Sequence, residues 1–282
     1  MHNLNEINWF PGHMKKALDQ VSQKIKECDG VIEIGDARAP FSSFPEYLDK
    51  ITENKEKVFI FSKADLADPV LLSKQKDIYK SKGIECFSFD LRDPNSAKEM
   101  LRYLSNIQTT KDRKYIRLGF PLPVKRFIVL GIPNVGKSTF INSLSCKKKA
   151  AVENKPGKTR TETLIKVSQK VEIFDAPGIL EPNYENKTVI AKLALLGSVK
   201  MEVLPLIPLT DYLMEIISSR YSKNLVDRYG IEVSSSPEEN YSRIATNRKF
   251  LLSGSLPDTD RARNVVLKEF RAGQIGKISL DE

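Results

Sequence analysis

The chain has 282 residues, of which 40% are apolar and 29% charged, and its net charge is +9. This composition is ordinary for a globular protein, and the length allows one large domain or two modest ones. No apolar run approaches the roughly 18 residues of a membrane span, no signal-peptide pattern is evident, and three cysteines without C-x-x-C spacing argue against disulfides and zinc, so we expect a cytoplasmic protein.

The N-terminal third of the chain alternates between helical and strand-like patterns. Apolar residues at helical spacing predict a first helix from Met14 to Cys28, which Gly30 ends. Strands that alternate with helices predict an α/β fold built on a doubly wound, mostly parallel sheet. The next predicted strands lie at 31–35, 57–62 and 84–89, and the next predicted helices at 69–82 and 95–107.

A phosphate-binding loop is predicted at 131–138, which reads Gly-Ile-Pro-Asn-Val-Gly-Lys-Ser. A predicted strand precedes it and a predicted helix follows it, which is the context that the G-x-x-x-x-G-K-[ST] motif requires. The backbone N–H groups of such a loop and the N-terminus of the helix attract phosphates. We expect Lys137 to reach the β- and γ-phosphates and Ser138 to hold Mg²⁺. The other nucleotide-contacting residues predicted in or beside this loop are Asn134, Val135, Gly136 and Thr139.

The excess of basic residues is concentrated around this loop. Residues 111–170 contain 15 Lys and Arg against 3 Asp and Glu. Within this region, 109–124 is basic and contains Gly119-Phe-Pro-Leu-Pro, which indicates a connector. The surplus has two interpretations: a surface that contacts nucleic acid, or a solvated face that also balances the phosphates of a nucleotide.

A second nucleotide-binding signal follows the phosphate loop. Residues 153–161 form a predicted loop, and two strand-like stretches at 162–168 and 170–175 are joined by a tight turn. The second stretch ends in Asp175-Ala-Pro-Gly178, a D-x-x-G motif at the end of a strand. Beyond about residue 184 the pattern becomes helical, so we place a domain boundary at 182–183. The helices predicted there lie at 188–200, 209–221, 237–252 and 258–272.

The candidate guanine-binding motif lies on the N-terminal side of the phosphate loop. GTPases bind guanine through an Asp that accepts from the base and a Lys whose stem packs on it. Ser62-Lys-Ala-Asp65 is the candidate that follows a predicted strand, with Ser88 at the end of the next strand as a further base contact. The alternative is a surface turn. The motif order therefore predicts a circularly permuted chain, which is physically reasonable because domain termini often lie close together.

These motifs together resemble the circularly permuted GTPases, and most of all the ribosome biogenesis GTPase A family. The resemblance implies a permuted P-loop GTPase domain at 1–182 and an all-α domain at 183–282 that binds rRNA. It further implies GTP hydrolysis during assembly of the large ribosomal subunit, by a monomer without membrane or DNA partners. The motifs that carry it are Trp9–Met14, Asp36–Pro40, 131–138, Pro156–Thr159, 175–178 and the C-terminal 269–281.

The resemblance assigns roles to individual residues. Mg²⁺ would be held by Ser138 and by Thr159, with Thr161 as the fallback, and Asp175 would lie behind the metal. Gly178 would offer its N–H to the γ-phosphate. The guanine motif departs from the family at Ser62, where Asn is usual, so we expect Asp65 to keep guanine preference with weaker affinity.

Hydrolysis needs a group that positions water, and Ile179 stands where many GTPases carry Gln. We therefore expect slow hydrolysis by the protein alone and stimulation by the ribosomal subunit. His13 is the candidate that orients water, and a structural cap of the first helix is its alternative. Asn134 resembles the asparagine of potassium-activated GTPases, and a turn-favouring residue is its alternative.

Two further functions stay open at this point. One is a non-catalytic or weakly catalytic RNA-binding scaffold that uses nucleotide only as a switch. The other is a permuted GTPase that acts on another ribonucleoprotein or on an organellar ribosome. The intact Lys137, Ser138, Asp175 and Gly178 argue against the scaffold.

Overall fold

The computed structural model describes residues 14–44, 46–89, 94–145, 163–180, 186–199 and 204–281. The chain divides into two compact units. One is formed by Phe10–Asp65 and Val70–Asn183, and the other includes Leu66–Pro69 and Tyr184–Glu282. Within the described ranges, no helix is both long and apolar enough to cross a membrane.

The first unit is built on a six-stranded sheet with the order β3-β2-β1-β4-β6-β5. Neighbouring strands are parallel except for the antiparallel pair of β5 and β6. The predicted mostly parallel sheet is confirmed, as is the tight turn before β6. The strands are β1 (Gly30–Asp36), β2 (Glu56–Ser62), β3 (Glu85–Ser88), β4 (Lys125–Leu130), β5 (Thr163–Lys166) and β6 (Val171–Asp175).

Among the described residues of this part of the chain, the helices are α1 (Met14–Ile25), α2 (Pro40–Ser43), α3 (Glu46–Thr52), α4 (Pro69–Ser81), α5 (Pro94–Asn106), α6 (Thr110–Arg117) and α7 (Lys137–Leu144). The connector predicted at 109–124 is wrong for its first half, which is α6. Thr109 and Asp112 form a capping box that satisfies free N–H groups at the start of this helix. The short helices α2 and α3 were not predicted either.

Helices cover both faces of the sheet. On one face, Val21 and Ile25 of α1 and Leu48 of α3 join a buried cluster with Val31 and Ile128. Successive side chains of a strand point to opposite faces of the sheet. The side chain of Phe87 in β3 lies on the face opposite to this cluster. There its ring lies 4.7 Å from that of Tyr103 in α5, and Phe89 lies 4.9 Å from Phe140 in α7, measured between centroids. This two-sided burial explains why the central strands are mostly apolar.

The second unit is helical in its described residues, as predicted for the C-terminal domain. The helix predicted at 209–221 begins earlier and is followed by an unpredicted helix. The helix predicted at 237–252 ends early because Lys249 adopts a left-handed φ of 57°, which an α-helix cannot continue. The helices are α8 (Lys187–Leu195), α9 (Leu206–Arg220), α10 (Ser222–Tyr229), α11 (Pro237–Asn247) and α12 (Thr259–Arg271).

A buried arginine organises the packing of three of these helices. Arg263 of α12 is 2% exposed, and it pairs with Asp211 of α9 and Glu238 of α11. Its guanidinium carbon also lies 4.3 Å from the ring centre of Tyr241, whose hydroxyl donates to the Thr210 carbonyl at 2.6 Å. Because a buried charge needs such partners, this cluster ties α9, α11 and α12 together.

Candidate nucleotide-binding site

The phosphate loop begins at a position where the neighbouring backbone leaves room only for glycine. Gly131 has φ +153°, and a Cβ built on it would lie only 2.3 Å from the Ile34 carbonyl oxygen of β1. The loop ends at Gly136, whose φ of 104° is also a left-handed conformation and which stands at the N-cap of α7. Both glycines are therefore required by backbone geometry, and together they bend the chain from β4 into α7.

Lys137 is held inside this loop. Its Nζ donates to the carbonyl oxygens of Gly131 at 3.0 Å and Ile132 at 2.9 Å, and the side chain is buried. Burial lowers the pKa of Lys137 to about 8, and the charge of Asp175 opposes that shift only in part. The result is a weakly solvated ammonium close to the loop N–H groups, which is suited to a phosphate.

Ser138 and Asp175 bring two oxygen ligands together at the start of α7. Ser138 donates its hydroxyl to Asp175 Oδ2 at 3.4 Å. Burial raises the pKa of the Asp175 carboxyl, while Lys137 and Ser138 lower it in part. Hydroxyl and carboxylate oxygens are hard ligands that fit Mg²⁺. The described residues contain no cluster of three or more His, Cys, Asp or Glu, so water and nucleotide oxygens would complete such a shell.

The predicted guanine motif lies at the same edge of the sheet as the phosphate loop. Lys63 follows β2 directly, and its Nζ donates to the Asn134 carbonyl at 3.2 Å and to Asp36 Oδ2 at 2.9 Å. Asp65 comes next in a 3-10 turn at Ala64–Leu66, with its side chain exposed. Residues separated by 71 positions in the chain are thus brought into direct contact.

Ser62 is oriented towards the main chain. It is 5% exposed, and its hydroxyl donates to the Gly35 carbonyl of β1 at 3.0 Å. Ser88, the other predicted base contact, is exposed at the end of β3, opposite Phe61 of β2. The strand order therefore places Ser88 beside the guanine motif.

Two buried charged residues at this edge were not assigned a role from the sequence. Asp36 ends β1, and Arg38 forms a double hydrogen bond to its carboxylate, 2.9 Å to each oxygen. Burial alone would raise the pKa of the Asp36 carboxyl, but Arg38 and then Lys63 outweigh it and hold the pKa far below its usual value. Asp36 therefore stays ionised and fixes the ammonium of Lys63. The sequence signal that could have identified this role was an acidic residue, Asp36, at the end of a strand predicted to be buried.

The D-x-x-G segment packs directly on the phosphate loop. A Cβ on Gly178 would come within 2.8 Å of Pro133 Cα, so only glycine fits this approach. The next residue, Ile179, donates its backbone N–H to the Gly131 carbonyl at 3.1 Å and buries its side chain completely. Close packing alone explains why residue 178 is glycine, without any phosphate contact. The side chain of Ile179 packs in the hydrophobic core.

The remaining residues predicted to contact the nucleotide in this loop differ in exposure and backbone conformation. Asn134 is exposed and has a left-handed φ of 59°, a conformation that favours asparagine, so the turn interpretation has direct support. The side chain of Val135 is buried, so only its backbone could contact a ligand. Thr139 is half-buried in the first turn of α7. The predicted residues His13, Thr159 and Thr161 lie outside the described residues.

Comparison with known proteins identifies the family to which the chain belongs. A model described as "50S ribosome-binding GTPase" matches residues 126–247. The chain is 37% identical over 281 residues to "Ribosome biogenesis GTPase A" of Priestia megaterium, covering 98% of this chain and 96% of that protein. Two solved structures of YlqF from Thermotoga maritima, one GDP-bound and one GNP-bound, are each 27% identical. Their TM-scores are 0.66 and 0.65, over 93% and 94% of this chain and 98% and 97% of theirs.

The match to the Priestia protein extends over nearly the full length of both chains. It agrees with a phosphate loop, a D-x-x-G segment and a guanine motif that converge at one edge of the sheet. The chain is a GTPase and belongs to the ribosome biogenesis GTPase A family.

Proposed function

We propose that this GTPase assists assembly of the large ribosomal subunit and binds rRNA in a GTP-dependent way. The contact between Lys63 Nζ and the Asn134 carbonyl carries the nucleotide part of the proposal, because it joins base recognition to the phosphate loop. The ribosomal part is supported by the names of the relative and of the matching family model. The protein would act in the cytoplasm as a monomer, with its helical unit on rRNA and without membrane or DNA partners.

In the proposed site, the phosphate loop binds the charged end of GTP. The N–H groups of 134–139 would donate to phosphate oxygens, and Lys137 would exchange its two carbonyl partners for the β- and γ-phosphates. Ser138 would hold Mg²⁺, which neutralises charge on the phosphates, while Asp175 orients a metal-bound water. Thr159 or Thr161 would complete the set when GTP is bound.

Base recognition is assigned to the residues after β2. Asp65 is exposed at the turn and would accept from the two guanine N–H donors, while the stem of Lys63 packs on the base. Asp36 and Asn134 hold Lys63 in place from two sides. We still expect Ser62 to weaken the affinity for guanine nucleotides, because its hydroxyl donates its hydrogen to the Gly35 carbonyl. Ser88 would line the far side of the base.

The hydrolysis step needs a water-positioning group from elsewhere. Ile179 is buried and apolar, so the site supplies no hydrogen bond to water at that position. We propose that His13 orients the attacking water when the ribosomal subunit is bound, and that K⁺ at Asn134 balances developing charge. Slow hydrolysis in isolation follows from the apolar Ile179 and from a His13 that acts only when the subunit is bound.

GTP turnover with and without purified large ribosomal subunits tests this proposal. We expect tenfold or greater stimulation by the subunits, since a group that completes a GTPase site raises turnover by about a thousandfold or more. His13→Ala should remove most of the stimulation while leaving GDP affinity unchanged. Turnover that does not respond to large subunits would favour the scaffold alternative, and full stimulation of a folded His13→Ala variant would exclude the role of His13.

A further inference from the structure

The outward face of α6 is formed by basic residues. Arg113, Lys114 and Arg117 are exposed, and Lys111 is 43% exposed with a loose 3.7 Å contact to Asp29. These four residues line a shallow surface hollow of about 460 Å³. Side chains three and four positions apart are neighbours on a helix, so the four cations form one continuous patch.

The acid of this helix does not reduce that charge. Asp112 is buried, accepts from the Thr109 N–H at 3.0 Å, and pairs with buried Lys125 at 3.1 Å. The capping box thus directs the negative charge inwards and leaves all four cations facing outwards. A surface with four cations and no facing acid on its own helix attracts a polyanion.

An exposed apolar segment continues directly from the patch. Ile116, Leu118, Phe120 and Leu122 are each exposed by 51–59%, and the Phe120 ring meets the Tyr115 ring edge-on at 6.3 Å. Exposed apolar groups at this density usually mark an interaction site. Cations beside exposed aromatic rings are typical of surfaces that bind single-stranded nucleic acid, where phosphates pair with Lys and Arg and bases stack on the rings.

We propose that α6 and the residues up to Leu122 form an RNA-binding surface on the GTPase unit, separate from the helical unit, for a single-stranded or looped segment of RNA. This inference rests on the proposed ribosomal function, which makes RNA the expected polyanion. A membrane fits less well, because residues 118–124 have no regular secondary structure, and backbone outside helices and closed sheets is costly to place in lipid.

The test compares two variants that lose equal charge. The first replaces Lys111, Arg113, Lys114 and Arg117 with Gln. The control replaces the basic residues of α4 and the turn after it, which lie on another part of the same unit: Lys74, Lys76, Lys80 and Lys82. Each is titrated with a fluorescein-labelled oligouridylate over a range of salt concentrations, and with vesicles containing anionic lipid. GDP binding and thermal melting report that the fold is intact.

We expect the α6 variant to bind the oligouridylate at least about tenfold more weakly, with a salt dependence flatter by about 2 to 3 in log–log slope. The control should lose much less affinity. Phe120→Ala should weaken binding without changing the salt slope, because stacking involves no counterion release.

Three results would overturn the inference. They are equal losses in the two four-fold variants, no loss in either, and a loss confined to the anionic vesicles. Large-subunit-stimulated GTP turnover is measured in parallel on the wild-type protein. If the subunits fail to stimulate but the α6 variant still loses RNA binding, the ribosomal function fails and the RNA surface stands.

Discussion

At the residue scale, Lys63 shows how the base-recognition turn is held. It adopts a left-handed φ of 54°, which is unfavourable for a residue with a side chain. The ion pair with Asp36 and the hydrogen bond to Asn134 compensate for this strain. These contacts fix Lys63 beside Asp65, an arrangement that would preorganise the turn for the proposed base contact.

Asp65→Asn should change which base the protein prefers. In the proposed site the Asp65 carboxylate would accept from the N–H groups of guanine, whereas an amide would donate to the 2-oxo group of xanthine. We expect GDP affinity to fall by about tenfold to a hundredfold, since a hydrogen bond to a charged group is worth about 1.5–3 kcal/mol. XDP affinity should rise. Fluorescence titration with labelled GDP and XDP measures both, and Asp77→Asn in α4 is the control.

An unchanged preference for GDP in a folded Asp65→Asn variant would show that Asp65 does not face the base. A loss of both nucleotides would instead indicate a disturbed phosphate loop.

The lowered pKa of Lys137 predicts that nucleotide binding takes up a proton. The free protein has this pKa near 8 because of burial, and bound phosphates will raise it. Between these two values the complex carries more protons than the free protein, so GDP affinity should fall as pH rises above about 8. Calorimetric titration in two buffers of different ionisation enthalpy measures the uptake.

At about pH 6, Lys137 is already charged in the free protein, so its contribution to proton uptake should vanish. Uptake that is independent of pH, or absent throughout, would contradict the assignment of a phosphate to this ammonium.

At the element scale, β1 combines complete burial with an acidic side chain. All seven residues of Gly30–Asp36 are buried. Glu33 is 2% exposed and has Thr52 as a distant hydrogen-bond donor at 3.5 Å. Burial raises the pKa of the Glu33 carboxyl to about 7, although the charge of Lys57 lowers it in part. An ionised Glu33 therefore weakens the centre of the sheet near neutral pH.

Glu33→Gln should stabilise the protein at neutral and alkaline pH but not at acidic pH. The folded state binds the extra proton between 4.5, the ordinary value, and about 7, so the contribution of Glu33 to stability falls as pH rises through that window. We expect the free energy of unfolding to rise by about 1–3 kcal/mol at about pH 8 and to change little at about pH 5.

Urea denaturation at the two pH values measures this effect, with exposed Glu53→Gln as the matched control. Equal effects of Glu33→Gln at both pH values would mean that Glu33 is not the titrating group.

At the scale of the whole molecule, the segment after the guanine motif is part of the helical unit. Leu66 accepts from the Ile278 N–H at 3.1 Å, and the Asp68 N–H donates to Ser279 Oγ at 3.1 Å. Tyr221 of the helical unit donates its hydroxyl to Asp68 Oδ2 at 3.2 Å. The helical unit therefore depends on residues that precede the phosphate loop in the chain.

Asp68→Ala should weaken the helical unit locally. Loss of the carboxylate removes the acceptor for the Tyr221 hydroxyl, so we expect about 1 kcal/mol of destabilisation. Hydrogen exchange followed by mass spectrometry should show faster exchange around 217–225 and 275–281, with β1 and β4 unaffected. The control is Asp227→Asn, whose 2.6 Å pair with Lys223 is exposed. Unchanged exchange in both segments would contradict this role of Asp68.

The elements that the sequence predicted well are those with a strong local signal. The sheet strands were identifiable because burial on both sides makes β2 and β4 continuous apolar runs and leaves β1 apolar apart from Glu33 and the terminal Asp36. The phosphate loop was identifiable because Gly131 and Gly136 are fixed by geometry that no other residue can adopt. The helix α6 was missed because its polar, basic composition has little apolar periodicity and its capping box acts through side-chain geometry.

Residue types at short spacing were enough to identify the phosphate loop, the D-x-x-G segment, the alternating α/β order and the family. The folded chain was needed to show that Asp36 and Arg38 hold Lys63, that Lys63 contacts Asn134, and that Leu66–Pro69 belongs to the helical unit. These relations join residues far apart in the chain. Strand order and burial create them, and no local pattern records which distant residue a buried charge will meet.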